Sequence, residues 1–185
     1  MLVYNIGMKI LDFPIVRQSS IDSCSCACVE SCLCYFGFDY RENQIRNVMG
    51  IGAHPQEIHP KKMIKALNHF GLKTKYEKLT INDLVGYIDK DMPVILNIQA
   101  WSTSKHPDWN TDLNGHYAVA IGYDNKKKMI IFSDPASFYK TYLFYGELEK
   151  RWHDGDSKEP DYSNMGIVVY GKSAKYKSDK IIHME

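Results

Sequence analysis

No stretch of the 185 residues comes near the roughly 18 consecutive apolar residues that a membrane-spanning helix needs. The segment from Met1 to Val16 is broken by Asn5, Lys9, Asp12 and Pro14, with no charged stretch leading into an apolar one. It does not read as a secretory signal. An excess of one charge is also missing, since 23 basic residues face 22 acidic ones for a net +1. That balance excludes a broad basic face for nucleic acid. Cysteine is absent from all but one short segment: Cys24, Cys26, Cys28, Cys32 and Cys34 lie within eleven residues. An odd, crowded set cannot be a disulfide framework, so the expected compartment is reducing and cytoplasmic. Paired C-x-x-C spacing is missing, and Cys-x-Cys on a helix would throw two sulfurs roughly 200° apart. His54, His59, His69, His106 and His153 fall into no H-E-x-x-H pattern and read as surface or capping residues. No metal and no cofactor is expected. Repeats, low-complexity tracts and long linkers are lacking too, so one domain is expected over residues 1–185. Its core would span about 10–171, followed by a loose basic tail carrying Lys172, Lys175, Lys177 and Lys180.

What is present suits a folded chain: 44% hydrophobic, 24% charged and 12% aromatic residues, enough for one sizeable core. Residues 9–17 read as a short extended segment. Cys24 to Phe36 is apolar, free of Gly and Pro, preceded by the capping types Asp22 and Ser23 and stopped by Gly37, which predicts a helix. Further helices are expected over Glu42 to Met49, from Pro60 to Gly71, and from a Thr80–Asp83 capping box to about Asp89. The pattern then turns to strands at Pro93 to Ala100, His116 to Tyr123, Met129 to Ser133 and Ile167 to Tyr170, with a helical turn over Glu147 to Trp152. Helices first and antiparallel strands after predict an α+β fold, with helices packed on a mainly antiparallel sheet.

Chemistry concentrates around Cys24. At a helix N-terminus the free N–H groups and the dipole favour a thiolate, the reactive form. Cys28, Cys32 and Tyr35 follow at helical spacing as one stripe, while Cys26 and Cys34 point elsewhere. Most buried cysteines are small hydrophobes, and four of the five take that reading. Folding the chain as a hairpin about Asn125–Lys127 brings His116 to within a residue or two of Asp134. The small residues Ala118, Ala120 and Gly122 would continue the His116 face. From pattern alone His116 is as well explained as a structural histidine as a base. The set fits nucleophile, base and orienting group all the same.

The run Arg17-Gln18-Ser19-Ser20-Ile21-Asp22-Ser23-Cys24, closed by Tyr35-Phe36-Gly37, resembles the papain-like cysteine peptidases of the bacteriocin-processing (double-glycine leader) family, particularly its free-standing relatives. Gly115-His116-Tyr117, Asp134-Pro135 and Pro93 to Trp101 resemble its later motifs in the same chain order, so the likeness runs from about Ile10 to His153. It implies a papain-like fold and hydrolysis of a peptide bond. Cys24 would be the nucleophile, His116 the base and acid, Asp134 the orienting group and Gln18 an oxyanion donor beside the Cys24 N–H. The sequence departs from the family after the nucleophile, where a Gly and a small residue or Pro are usual and Ser25 and Cys26 stand here. The alternatives are acyl transfer by the same residues and a peptide-binding scaffold without catalysis. A peptide or protein substrate is the expected partner, with no nucleic acid and no membrane span.

Two other features have weaker readings. Asp108-Trp-Asn110-Thr-Asp112-Leu-Asn114 alternates oxygen ligands like the start of an EF-hand, but lacks its Gly and Glu and reads as a polar loop. Trp101 and Trp109 read as buried rim aromatics or as the lining of a substrate groove.

Overall fold

The computed structural model describes residues 7–52, 58–109, 115–153 and 163–184. His54 and the run from Asn110 to Asn114 lie outside the described residues. The elements in chain order are β1 (Met8–Ile10), α1 (Cys24–Tyr35), α2 (Glu42–Met49), α3 (Pro60–His69), β2 (Lys73–Lys78) and α4 (Ile81–Asp89), then β3 (Val94–Gln99), β4 (Gly115–Asp124), β5 (Met129–Ser133), β6 (Thr141–Phe144), α5 (Tyr145–Arg151) and β7 (Met165–Tyr170). One antiparallel sheet runs β2-β7-β3-β4-β5-β6, with β1 paired to the far end of β4. The fold is α+β, as the order of patterns predicts.

β4 is the spine of the molecule. β3 pairs along residues 115–120, and β1 takes over the same side at 122–124. All of β4 but Gly115 is buried, which is why its sequence runs apolar without clean alternation. α1 packs on it and is buried nearly all round, from Ser25 to Tyr35. Such a helix carries no single apolar stripe. The Cys28 thiol donates to the Tyr117 carbonyl at 3.3 Å, and Cys26, which the pattern aims elsewhere, lies 3.9 Å from the Met49 sulfur of α2.

The ends of α1 differ from expectation. Ser23 occupies the N-cap position without capping. Its hydroxyl accepts from Ser20 N at 3.0 Å and donates to Ser20 O, closing the preceding turn instead. At the other end Gly37 has φ 87°, and Phe38 N donates back to Leu33 O at 2.9 Å, a Schellman-type stop. The tail expected to be loose is docked there. Lys175 N and Tyr176 N both donate to Tyr35 O, and Ser178 N donates to Asp12 Oδ2. Helix-end carbonyls need donors, and the tail supplies them.

Strands β2 and β6 escape the sequence patterns, and β1 takes up only the start of the stretch read as extended. β1 and β6 have three and four residues. β2 reads Lys-Thr-Lys-Tyr-Glu-Lys, charged because it is a sheet edge where lysine discourages further pairing. The sequence-derived face of β4 also needs correction. Ala120 pairs Phe132 but Gly122 pairs Ile131, so Ile121 is an extra residue and the alternation breaks there. Residues facing each other across the ladder share a face, so Tyr123, not Gly122, continues the face of His116, Ala118 and Ala120.

Candidate functional site

That bulge sets the site. Counted straight from the Asp124–Met129 rung, the hairpin would place Asp134 across from Val119, on the wrong face for His116. The shift at Ile121 makes Val119 the partner of Ser133. The next rung then sets Asp134 across from Ala118, two residues from His116 and on its side. His116 Nε2 and Asp134 Oδ1 are 2.8 Å apart, both residues under 10% exposed.

The Cys24 thiol, half-buried at the first position of α1, interacts with the same imidazole and favours its charged form. With Nε2 held by Asp134, Nδ1 is the ring nitrogen left for it. Burial works against a charge on His116, but the interactions with Asp134 and Cys24 outweigh it and raise its pKa to about 9. Burial likewise pushes Asp134 up, and the bonds from His116, the Ala136 amide and Trp101 bring its carboxyl below the usual carboxylate range. Burial pushes four buried or half-buried thiols up as well: Cys26 to about 11, and Cys28, Cys32 and Cys34 upward.

Asp134 has more partners than the sequence suggests. Oδ1 accepts also from Ala136 N at 2.8 Å; Oδ2 accepts from the Trp101 indole at 3.0 Å and the Thr141 hydroxyl at 3.4 Å. Trp101 is 58% exposed, so it is not a buried rim residue. Trp109 instead lies under the Arg151 guanidinium, 4.0 Å from the ring centre. Sequence reasoning missed the Trp101 and Thr141 contacts because both depend on loops converging from separate strands.

Gln18 lies in the turn before α1. Its backbone N–H donates to Pro135 O at 3.1 Å, and Arg17 stacks 3.8 Å over Phe138, tying this turn to the loop that carries Asp134. Its side-chain amide donates to Ser20 O at 2.9 Å and Ile21 O at 3.1 Å, so both hydrogens are taken locally, while Oε1 is buried without a partner. Swapping O and N would set the oxygen against two carbonyls, so this orientation is the sound one. His59 caps α3 through Nδ1, accepting from Lys61 N. Among the described residues no cluster of His, Cys, Asp or Glu is arranged to hold a metal.

The model of the Peptidase_C39 like family matches residues 10–157, most of the chain. The chain belongs to that family. Among solved structures, the peptidase domain of Streptococcus ComA, a bifunctional ABC transporter of a quorum-sensing pathway, is similar at 18% identity and TM-score 0.62, over 91% of this chain and 100% of that one. A C39-like peptidase structure from Bacillus anthracis aligns at 15% identity and TM-score 0.66, over 91% and 99%. A double glycine motif protease from an AMS/PCAT transporter, solved with its leader peptide, aligns at 16% and 0.59, over 87% and 93%. At these identities the structural likenesses establish the fold. No curated protein matches the sequence. The family and the fold together support a peptidase-type function, and no described helix is long and apolar enough to cross a membrane.

Proposed function

We propose that the protein is a cysteine peptidase working as a single domain through Cys24, His116 and Asp134. The observation that carries this is the 2.8 Å hydrogen bond between the His116 imidazole and the Asp134 carboxylate, with the Cys24 thiol at the N-terminus of a buried helix interacting with the same ring. Asp134 fixes the ring and supports its charge, and His116 takes the thiol proton. The sulfur attacks the carbonyl carbon. As the tetrahedral intermediate collapses, the C–N bond breaks and His116 returns the proton to the leaving amine. Water, deprotonated by His116, then cleaves the thioester and regenerates the thiol.

The oxyanion needs donors. The first-turn N–H groups of α1 have no intrahelical acceptor, and Ser23 leaves them uncapped, so the Cys24 N–H is the first of them. Gln18 is the second once it releases one of its two loop carbonyls. The substrate is a peptide. By analogy with the leader-bound relative, it is cut after a small-residue motif such as Gly-Gly. Five free thiols suit a reducing, cytoplasmic setting.

The engaged amide of Gln18, with buried Ser25 next to the nucleophile, favours a second reading in which the chain binds peptides without cleaving them. The two separate on limited iodoacetamide labelling near pH 6 with mass-spectrometric localisation. Fast labelling of Cys24 alone, slowed in His116→Ala, supports the peptidase, and peptide cleavage must then vanish in Cys24→Ala. Labelling of Cys24 no faster than that of half-buried Cys34 gives the scaffold.

A further inference from the structure

We propose that Trp101 has two tasks at this site: its indole N–H is a positioning contact for Asp134, and the exposed part of its ring is the platform for an apolar substrate side chain on the leaving-amine side of the cleaved bond. The proposal rests on the cysteine-peptidase reading above. Trp101 stands just beyond β3, whose last two residues pair with Gly115 and His116, so the strand end delivers the ring to the reacting histidine. The indole N–H, which can only donate, meets Oδ2 of a carboxylate, which can only accept, at 3.0 Å.

The backbone adds an independent sign. Trp101 has φ 58°, in the left-handed region where a bulky aromatic is an outlier. Such strain persists where surrounding contacts over-determine the residue, and it gathers at functional sites. Burial does not explain it, because Trp101 is 58% exposed while Asp134, which it touches, is 4% exposed. Trp101 is therefore tied down at its indole N–H and more than half exposed. The loop after Asp134 presents Phe138 and Tyr139, 74% and 79% exposed, and Arg17 braces Phe138. Exposed aromatic residues thus lie in both segments that bond the buried carboxylate, Trp101 after β3 and Phe138 and Tyr139 after β5, and such surface suits an apolar side chain.

The test compares two alkylators of Cys24, iodoacetamide and N-phenethyl iodoacetamide, under saturating kinetics in the native protein, Trp101→Phe and Trp101→Asn. Asn suits the left-handed backbone and guards against a folding failure. The wild type is expected to favour the phenethyl probe about tenfold through tighter binding. Trp101→Phe keeps that preference but slows the maximal rate with both probes about tenfold, the effect of losing one hydrogen bond to a charged group. It also broadens the downfield proton resonance of the His116 Nε2–H bonded to Asp134. Trp101→Asn loses the preference as well. An unchanged maximal rate and resonance in Trp101→Phe overturns the positioning task, and a retained preference in Trp101→Asn overturns the platform. If wild-type Cys24 reacts no faster than Cys34, the peptidase reading falls and the platform with it. The His116 resonance in Trp101→Phe still decides the positioning task.

Discussion

Replacing Asp134 with Asn keeps the shape of the side chain and removes its charge, so the consequences follow from its four donors. Oδ1 faces His116 and the Ala136 N–H; Oδ2 faces the Trp101 indole and Thr141. Either orientation of the amide aims its NH₂ at a group that can only donate, Trp101 in one and Ala136 in the other. One buried donor is left unmatched, a cost of about 1–3 kcal/mol. The larger effect falls on His116, whose pKa the interactions with Asp134 and Cys24 hold near 9 against its burial. Without the carboxylate it should fall from about 9 toward the ordinary value of about 6.5, a loss of up to roughly 3 kcal/mol of stabilisation of the imidazolium. The sign for folding follows. A histidine raised on folding contributes stability in full below about pH 6.5, and the contribution disappears as pH rises through 9. Wild-type stability in urea should therefore decline between pH 6.5 and 9.5, and the Asp134→Asn curve should be flatter there. The direct assay is proton NMR titration of the His116 Cε1–H. A midpoint that stays near pH 9 in Asp134→Asn would refute the reasoning, because the charge on His116 would then be held by something else.

Three further outcomes are expected. Iodoacetamide at neutral pH should modify Cys24 first and half-buried Cys34 slowly, leaving Cys26, Cys28 and Cys32 unlabelled until unfolding, as peptide mass spectrometry will read. Gly122→Ala should loosen β1, because a Cβ there would lie 2.8 Å from Lys9 O; a loss of about 1–3 kcal/mol in urea unfolding is expected, with the His116 titration little changed. Truncation after Lys172 removes the Lys175 and Tyr176 donors from Tyr35 O at the end of α1, and should cost about 1–2 kcal/mol and lower Tm.

Much of the fold was legible because its signals are local. Gly37, Gly50 and Gly71 stop helices where the pattern predicts, and the Thr80–Asp83 capping box opens α4 as read. The long strands announce themselves by β-branched runs. β2 did not, since the pressure on an edge strand is to repel partners, which replaces the apolar alternation with lysine. The proximity of His116 and Asp134 came from hairpin counting and holds to within the two residues allowed, yet the step that aligns their faces is the extra residue at Ile121. Nothing in Ala-Ile-Gly declares a bulge. Ser23 shows the same limit from another side: its residue type suits a cap, but the turn before α1 offers its hydroxyl nearer partners at Ser20.

The four donors on Asp134 come from four places in the chain: β4, the end of β3, the loop after β5 and the start of β6. The carboxylate is thus a knot as well as a charge, and untying it would let three loops drift even in a protein that performs no chemistry. A related chain that had abandoned cleavage for binding would still be under pressure to keep this aspartate, because its architecture needs it. The thiol at the head of α1 holds no loop in place and is free to be lost. For judging whether a relative is still an enzyme, the cysteine is the informative position and the aspartate is not.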